Sequence, residues 1–150
     1  MDRLLMAIAT GLGLGYLPKA PGTWGTLLAF PLHFALVNLS PAGYLAGLGI
    51  LLVIAVAAAG AAEKILDFRD PGVVVIDEVI GMLIALIAAP NHVLYLAAAF
   101  LLFRFFDILK PFPIRLVDQR LHGGIGIVAD DLLAGIFTLL IMQGVYYFVG

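Results

Sequence analysis

Two pairs of adjacent acidic residues, Asp77-Glu78 and Asp130-Asp131, each lie just inside the start of a long apolar run. Only 12% of the chain is charged and 63% is hydrophobic, so four carboxylates in such places are unusual. An ionised carboxylate is costly in an apolar environment, and it normally faces a protein interior, a partner cation or a metal. The two doublets therefore indicate a metal or phosphate site at a membrane surface.

The segment 104–131, RFFDILKPFPIRLVDQRLHGGIGIVADD, adds basic groups to these acids. Arg104, Asp107 and Lys110 recur every three residues, so they lie along one face at the end of a predicted helix that Pro111 stops. Metal-assisted phosphoryl transfer needs oxygen ligands for a hard cation, a base for water and basic side chains for phosphate oxygens, and all three are present. The alternative is a cytoplasmic loop with snorkelling basic side chains and ion pairs within a helix.

Residues 122–126, HGGIG, are predicted as a flexible loop leading into the helix that carries the second doublet. Gly123 and Gly124 permit positive φ angles and a close approach of the backbone to a ligand. His122 could act in a proton transfer, although a loop histidine next to two glycines does not establish that role.

The stretch 15–26, GYLPKAPGTWGT, could hold a phosphate with Lys19, Thr23 and the backbone N–H groups of the helix that follows. It lacks the glycine spacing and terminal GK[ST] of a P-loop. The alternative is a structured turn in which Thr23 or Thr26 caps the helix and Trp24 anchors it at the membrane interface.

The spacing around the doublets predicts how their helices pack. Asp77 shares a helix face with Gly81, as Asp131 does with Gly135, so small residues one turn beyond the acids favour close packing around a shared site. Asp77 and Glu78 point about 100° apart on a helix. We therefore expect one to bind metal while the other orients a partner, unless both merely compensate the helix dipole.

Composition predicts a single integral-membrane domain over residues 1–150, because the mean hydropathy of +1.13 is far above that of a soluble domain. The net charge of −2 makes nucleic acid an unsuitable partner. The predicted fold is all-α, a polytopic membrane helical bundle with about five membrane helices and an interfacial or re-entrant segment at 4–15. The five helices are expected at 27–39, 43–62, about 75–89, 93–106 and about 128–149.

This arrangement separates charge completely between the two sides. The turns at 40–42 and 90–92 contain no acidic or basic residue, and all eight Lys and Arg and all ten Asp and Glu fall on or near the other side. The positive-inside rule makes the charged side cytoplasmic. The helices expected to start near Thr26, Val75 and Val128 all begin there, with N-termini that favour anions.

Three stretches resemble the phosphatidylglycerophosphatase A family: PGTWGTL at 21–27, IDEVIGM at 76–82 and FRFFDILKPFPIRLVDQRLHGGIGIVADDLLAG at 103–135. Together they cover a little over a third of the chain. The resemblance implies a Mg²⁺-dependent hydrolysis of phosphatidylglycerophosphate to phosphatidylglycerol and phosphate. It also implies a location in the bacterial inner membrane, and with the predicted membrane helices and the positive-inside rule we expect a multi-pass protein whose active site faces the cytoplasm.

Under this resemblance a metal-activated water is the nucleophile and a spare carboxylate is its base. The Mg²⁺ ligands and catalytic acids are expected among Asp77, Glu78, Asp107, Asp130 and Asp131. The substrate-binding residues are expected to be Arg104 and Lys110 on the phosphate, with Lys19, Thr23, Gly123 and Gly124. His122 is expected to protonate the departing glycerol oxygen.

Two other functions stay open at this stage. One is a phosphatase of another lipid phosphate or pyrophosphate, since headgroup selectivity depends on the shape of the pocket. The other is a non-enzymatic membrane protein, either a small transporter or a lipid-binding subunit, although the uncharged outer half argues against a path for ions. The partners expected are the phospholipid and the membrane, and a homo-oligomer is left open.

Overall fold

The computed structural model describes all 150 residues, and its regular structure is helical throughout, with no strand. The all-α prediction is therefore confirmed. The seven α-helices are α1 Asp2–Ala9, α2 Pro21–Leu36, α3 Pro41–Leu66, α4 Ile76–Ala85, α5 Val93–Leu109, α6 Ile114–Arg120 and α7 Gly123–Val149. A short 3₁₀ turn, Leu14–Tyr16, follows α1.

Helix α4 is the centre of the bundle. Its residues from Val79 to Ala85 are all buried, and it packs against α2, α3, α5 and most extensively α7. A helix that is apolar on every face must be surrounded, either by protein or by lipid. Here protein surrounds it, since four other helices pack against its ten residues.

Two helices are long and apolar enough to cross a membrane. They are α3, with 26 residues, and α7, with 27 residues, and an 18-residue stretch of each has a mean hydropathy of 2.4 and 2.1, respectively. The other predicted membrane helices exist but are shorter: α2 and α5 have 16 and 17 residues, and each extends roughly 25 Å against a hydrocarbon core of about 30 Å. Helix length therefore does not support the predicted count of about five crossings.

The N-terminal segment 4–15 is not one continuous helix. Helix α1 has eight residues, and the chain then turns through Gly11, Leu12 and Gly13, all of which have positive φ angles. The amide of Val75 donates to the carbonyl of Ala9 at 2.8 Å, which ties this segment to the residue before α4. The segment thus supports the start of α4, and its interfacial placement stays a prediction.

The ends of the helices follow from their capping residues. The Ser40 hydroxyl accepts a hydrogen bond from the Gly43 amide at 3.1 Å at the start of α3, where Pro41 occupies the first turn. Helix α5 ends at Lys110, which has a φ of 45° and precedes Pro111. The predicted stop at this proline is confirmed.

The two uncharged turns meet at one end of the bundle. A cavity of about 340 Å³ there is lined by Leu39 and Pro41 from the first turn and by Ala88 and Ala89 next to the second. At the opposite end, the C-terminal turns of α3 and α5 lie beside α6 and the first turns of α4 and α7. The charged side chains of these segments therefore lie away from the two uncharged turns.

Candidate active site

Helices α4 and α7 touch backbone to backbone, and this contact sets the geometry of the site. A Cβ atom on Gly135 would lie 2.2 Å from the carbonyl oxygen of Gly81, and one on Gly81 would lie 2.6 Å from the carbonyl oxygen of Asp131. Only glycine allows so close an approach. The predicted packing of small residues one turn beyond the acids is confirmed.

We expect Gly135→Ala to push α4 and α7 apart and to lower turnover at least tenfold, because a displacement of about 1 Å at a catalytic centre can cost a hundredfold. Overpacking of this kind also costs about 1–3 kcal/mol of stability. Phosphate release and the unfolding midpoint would measure the two effects. Gly144→Ala is the control on the same helix, since a Cβ there meets nothing within 4 Å. Equal activity of the two variants would contradict this account.

The contact brings three acids together. Asp77 and Glu78 in the first turn of α4 and Asp131 in α7 each offer a carboxylate oxygen, and the three oxygens lie within 4.8 Å of one another. Asp77 is 9% exposed and Asp131 is 2% exposed. The expectation that adjacent residues on α4 cannot face one spot is wrong, because the longer glutamate side chain reaches back to the aspartate.

The acids of both doublets carry oxygens that no protein group satisfies. Asp77 Oδ1, Glu78 Oε2, Asp130 Oδ1 and Asp131 Oδ2 are buried and have no hydrogen-bond partner. Unpartnered buried carboxylate oxygens are strongly unfavourable, so we expect a bound cation to compensate these four oxygens. All of the converging donors are carboxylate oxygens, the ligand type that a hard divalent cation such as Mg²⁺ prefers. The acids are thus a suitable donor set for Mg²⁺, and mere compensation of the helix dipole does not explain them.

Arg104 faces this cluster from α5. Its guanidinium group forms a salt bridge with Asp107 one turn later, and both side chains are mostly buried. A Cβ on Gly22 would lie 2.6 Å from Glu78 Oε1 and 3.1 Å from both terminal nitrogens of Arg104. The first turn of α2 therefore lies against the cluster, and within it the Gly22 N–H makes no backbone hydrogen bond and is available for an anion.

Lys110 connects the cluster to α6. Its ammonium group donates to Asp118 at 2.9 Å and also to Asp130, whose side chain is 7% exposed. Burial lowers the pKa of Lys110, but hydrogen bonds and attraction to the two acids outweigh it and raise the pKa above its usual value. The lysine is therefore held charged, and it offers a phosphate a fixed cation.

A cavity of about 400 Å³ lies next to Lys110. Its lining includes Glu63, Asp118, Gln119 and His122, together with residues of the α3–α4 loop and the start of α7. Asp70 of that loop also lines it. Burial raises the pKa of the Asp70 carboxyl, and the charges of Asp118 and Glu63 add to the rise while Lys110 opposes it.

The structure does not bring every predicted site residue to the acid cluster. Lys19 is exposed, and Thr23 lies half-buried in the first turn of α2. Helix α2 begins at Pro21, so neither threonine caps it, and the Thr26 hydroxyl donates to the carbonyl of Gly22 at 2.8 Å instead. The capping alternative for this turn is therefore wrong.

The predicted glycine loop is part of a helix. Helix α7 begins at Gly123, so the doublet on it lies in its third turn and not in its first. A Cβ on Gly124 would lie 2.1 Å from the carbonyl oxygen of Val56, which identifies this glycine as a contact with α3. His122 is exposed with Nδ1 3.1 Å from the carbonyl of Arg120, and it lines the cavity together with Gly123.

Sequence reasoning missed Gly22, Glu63 and Asp118. The PGTWGT motif signals a glycine near a ligand, but not that it would face Glu78. Asp118 follows Lys110 by eight residues across two prolines, and no helical or strand spacing predicts that pair. Glu63 carries an unpartnered buried oxygen, Oε2, and it lies on α3, away in sequence from both acidic doublets.

Comparison with known proteins gives consistent matches. The family model described as phosphatidylglycerophosphatase A matches residues 7–146. The chain is 39% identical to phosphatidylglycerophosphatase A of Escherichia coli K12, with 95% of this chain and 81% of the relative covered. It is 37% identical to the protein of the same name from Haemophilus influenzae, with 95% and 88% covered.

A third relative carries another name. The chain is 39% identical to a Bacteroides thetaiotaomicron protein provisionally named a phosphatidylinositol-3-phosphatase, over 98% of this chain and 96% of that one. No solved structure gives a significant match.

Proposed function

Because the chain belongs to the phosphatidylglycerophosphatase A family, we propose that it hydrolyses phosphatidylglycerophosphate to phosphatidylglycerol and inorganic phosphate. Two relatives bear the name of this activity over most of their length, so the chain is a phosphatase. The observation that carries the proposal is the acid cluster, with its unpartnered buried oxygens next to two fixed basic side chains.

We assign Mg²⁺ to the cluster of Asp77, Glu78 and Asp131, with Asp130 and Asp107 nearest to them in the site. When bound, the ion supplies positive charge for the phosphoryl oxygens and makes a coordinated water more acidic. A thiol nucleophile is excluded, because the chain contains no cysteine. The donor set is all oxygen, which is what a hard divalent cation prefers.

The protein's own groups orient the phosphate. Arg104 and Lys110 each carry a carboxylate partner that fixes their position, so they can bind phosphoryl oxygens without first being ordered. Gly22 at the start of α2 lies beside Glu78 and Arg104, and its free N–H favours negative charge there. A spare carboxylate of the site, outside the three assigned to Mg²⁺, takes a proton from the attacking water. His122 lines the adjacent cavity, and we assign it the role of donating a proton to the departing glycerol oxygen.

The proposed setting is the inner membrane, with the site at its cytoplasmic face. The two apolar helices indicate membrane association, and their outward faces carry exposed apolar side chains, among them Val53 at 70% and Leu140 at 64%. The relatives are bacterial. The acyl chains would remain in the bilayer while the headgroup reaches the charged end of the bundle, which is cytoplasmic by the positive-inside rule.

The test is phosphate release by purified protein in detergent, with Mg²⁺ and with EDTA. We expect release from phosphatidylglycerophosphate that EDTA stops and added Mg²⁺ restores. Phosphatidic acid, polyprenyl pyrophosphate and phosphatidylinositol 3-phosphate serve as competing substrates, the last because of the third relative. Release from phosphatidylinositol 3-phosphate alone would move the function to that lipid. Folded protein that releases phosphate from none of them would contradict the phosphatase assignment.

A further inference from the structure

The polar cavity beside Lys110 is a second compartment of the site. It lies between the C-terminal end of α3, the α3–α4 loop, α6 and the start of α7, and only two of its ten lining residues are hydrophobic. The loop is held over α6 by Arg69, whose guanidinium donates to the carbonyl of Asp118 at 3.5 Å. Through Asp118 and Lys110 the cavity connects directly to Asp130 of the acid cluster.

The lining favours a ligand that donates hydrogen bonds. The three acids Glu63, Asp70 and Asp118 outnumber the basic side chains Arg69 and His122, so a phosphate group in this cavity would be disfavoured. Glu63 Oε2 is buried with no partner and accepts a hydrogen bond from any hydroxyl that reaches it. Gln119 adds an amide that both donates and accepts.

These acids fit a bound hydroxyl group better than they fit a bound metal ion. Among the acids and histidines of the chain, only Asp77, Glu78 and Asp131 form a group of three with converging ligand atoms. Asp118 already shares the cation of Lys110. A volume of about 400 Å³ also exceeds what a bare ion needs, and it falls within the range of about 300–1,000 Å³ typical of small-molecule sites.

We propose that this cavity binds the polyol of the lipid headgroup, the glycerol between the two phosphates, and that Glu63 and Gln119 receive its hydroxyl. The inference rests on the proposed function, which places the terminal phosphate at the acid cluster and hence the glycerol next to it. Selectivity for phosphatidylglycerophosphate over phosphatidic acid then arises here, because phosphatidic acid has the same phosphomonoester without this glycerol.

The test compares Glu63→Ala and Gln119→Ala with wild type on both lipids. Loss of a hydrogen bond to a charged acceptor is worth about tenfold, so we expect kcat/KM for phosphatidylglycerophosphate to fall about tenfold in Glu63→Ala and less in Gln119→Ala. The value for phosphatidic acid should change less than twofold. Lys64→Ala is the matched control, because this neighbour of Glu63 on α3 is exposed and does not line the cavity.

A second measurement does not depend on turnover of phosphatidic acid. Glycerophosphoglycerol, the headgroup of the product without acyl chains, should inhibit the wild-type enzyme, and Glu63→Ala should weaken that inhibition about tenfold. Unchanged inhibition and unchanged lipid preference in an active, folded variant would overturn the polyol site and leave the phosphatase function intact. An altered Mg²⁺ requirement in Glu63→Ala would overturn it in favour of a cation. If the wild type releases no phosphate from phosphatidylglycerophosphate, the proposed function fails first, and this inference with it.

Discussion

Asp131→Asn is expected to lower phosphate release about a thousandfold while the protein still folds. Asp131 is the α7 member of the converging acids, and its Oδ2 is buried without a protein partner. An amide keeps the volume of the side chain but removes the charge that a hard cation needs, and loss of one such electrostatic contribution typically costs two to three orders of magnitude. Turnover at saturating Mg²⁺ would measure the effect.

Stability measurements separate this role from a structural one. Without metal, Asp131 adds negative charge to a buried site that already holds Asp77 and Glu78. We therefore expect Asp131→Asn to unfold at a higher temperature than the wild type in EDTA. Added Mg²⁺ should raise the midpoint of the wild type and not that of the variant, because a ligand stabilises only a state that binds it. Asp67→Asn is the control, since Asp67 is exposed at the end of α3. A variant with full turnover would show that Asp131 is not a ligand.

The sequence was sufficient to predict α2, α3, α4, α5 and α7 approximately, but not the short helix α6, and it predicted the end of the bundle at which the charged residues gather. Charges are so sparse in this chain that their positions divide it into an apolar end and a charged end. The pairing of Asp77 with Gly81 and of Asp131 with Gly135 also predicted the contact between α4 and α7, because one helical turn separates the members of each pair. The spacing of residues along the chain therefore predicts which side chains share a helix face.

The number of membrane crossings could not be predicted in the same way. The run from Val79 to Leu86 is apolar on every face, and a lipid environment and a protein interior give the same signal. Only the fold shows that α4 is enclosed by other helices. The start of α7 was misplaced for a related reason, since Gly123 and Gly124 disfavour a helix locally while the close contact of Gly124 with α3 offsets that cost.

The ion pairs that join different helices could not be predicted from the sequence. Lys110 could be placed at the end of α5, but its two acceptors lie on α6 and α7, and the path between them runs through Pro111 and Pro113. Such contacts depend on the packing of three helices. The polar cavity depends on the same packing, which is why its lining residues carried no recognisable motif.

Lys110→Met is expected to destabilise the protein by about 3 kcal/mol and to remove most activity. The substitution leaves Asp130, with a side chain only 7% exposed, without its cation, and breaking a buried pair by removing one partner costs about 3–5 kcal/mol. It also removes the charge proposed to bind phosphate. Asp118→Asn is the matched control on the other partner, and because the Asp118 side chain is 36% exposed it should cost about 1 kcal/mol or less.

The double variant Lys110→Met/Asp130→Asn distinguishes the two roles of the lysine. Removing both charges leaves no uncompensated ion, so the unfolding midpoint should return most of the way to the wild-type value. Activity should stay low, because the phosphate still lacks its lysine and the cluster has lost an acid. If the double variant regained turnover along with stability, Lys110 would serve only to neutralise Asp130, and Arg104 with the N-terminus of α2 would hold the phosphate alone.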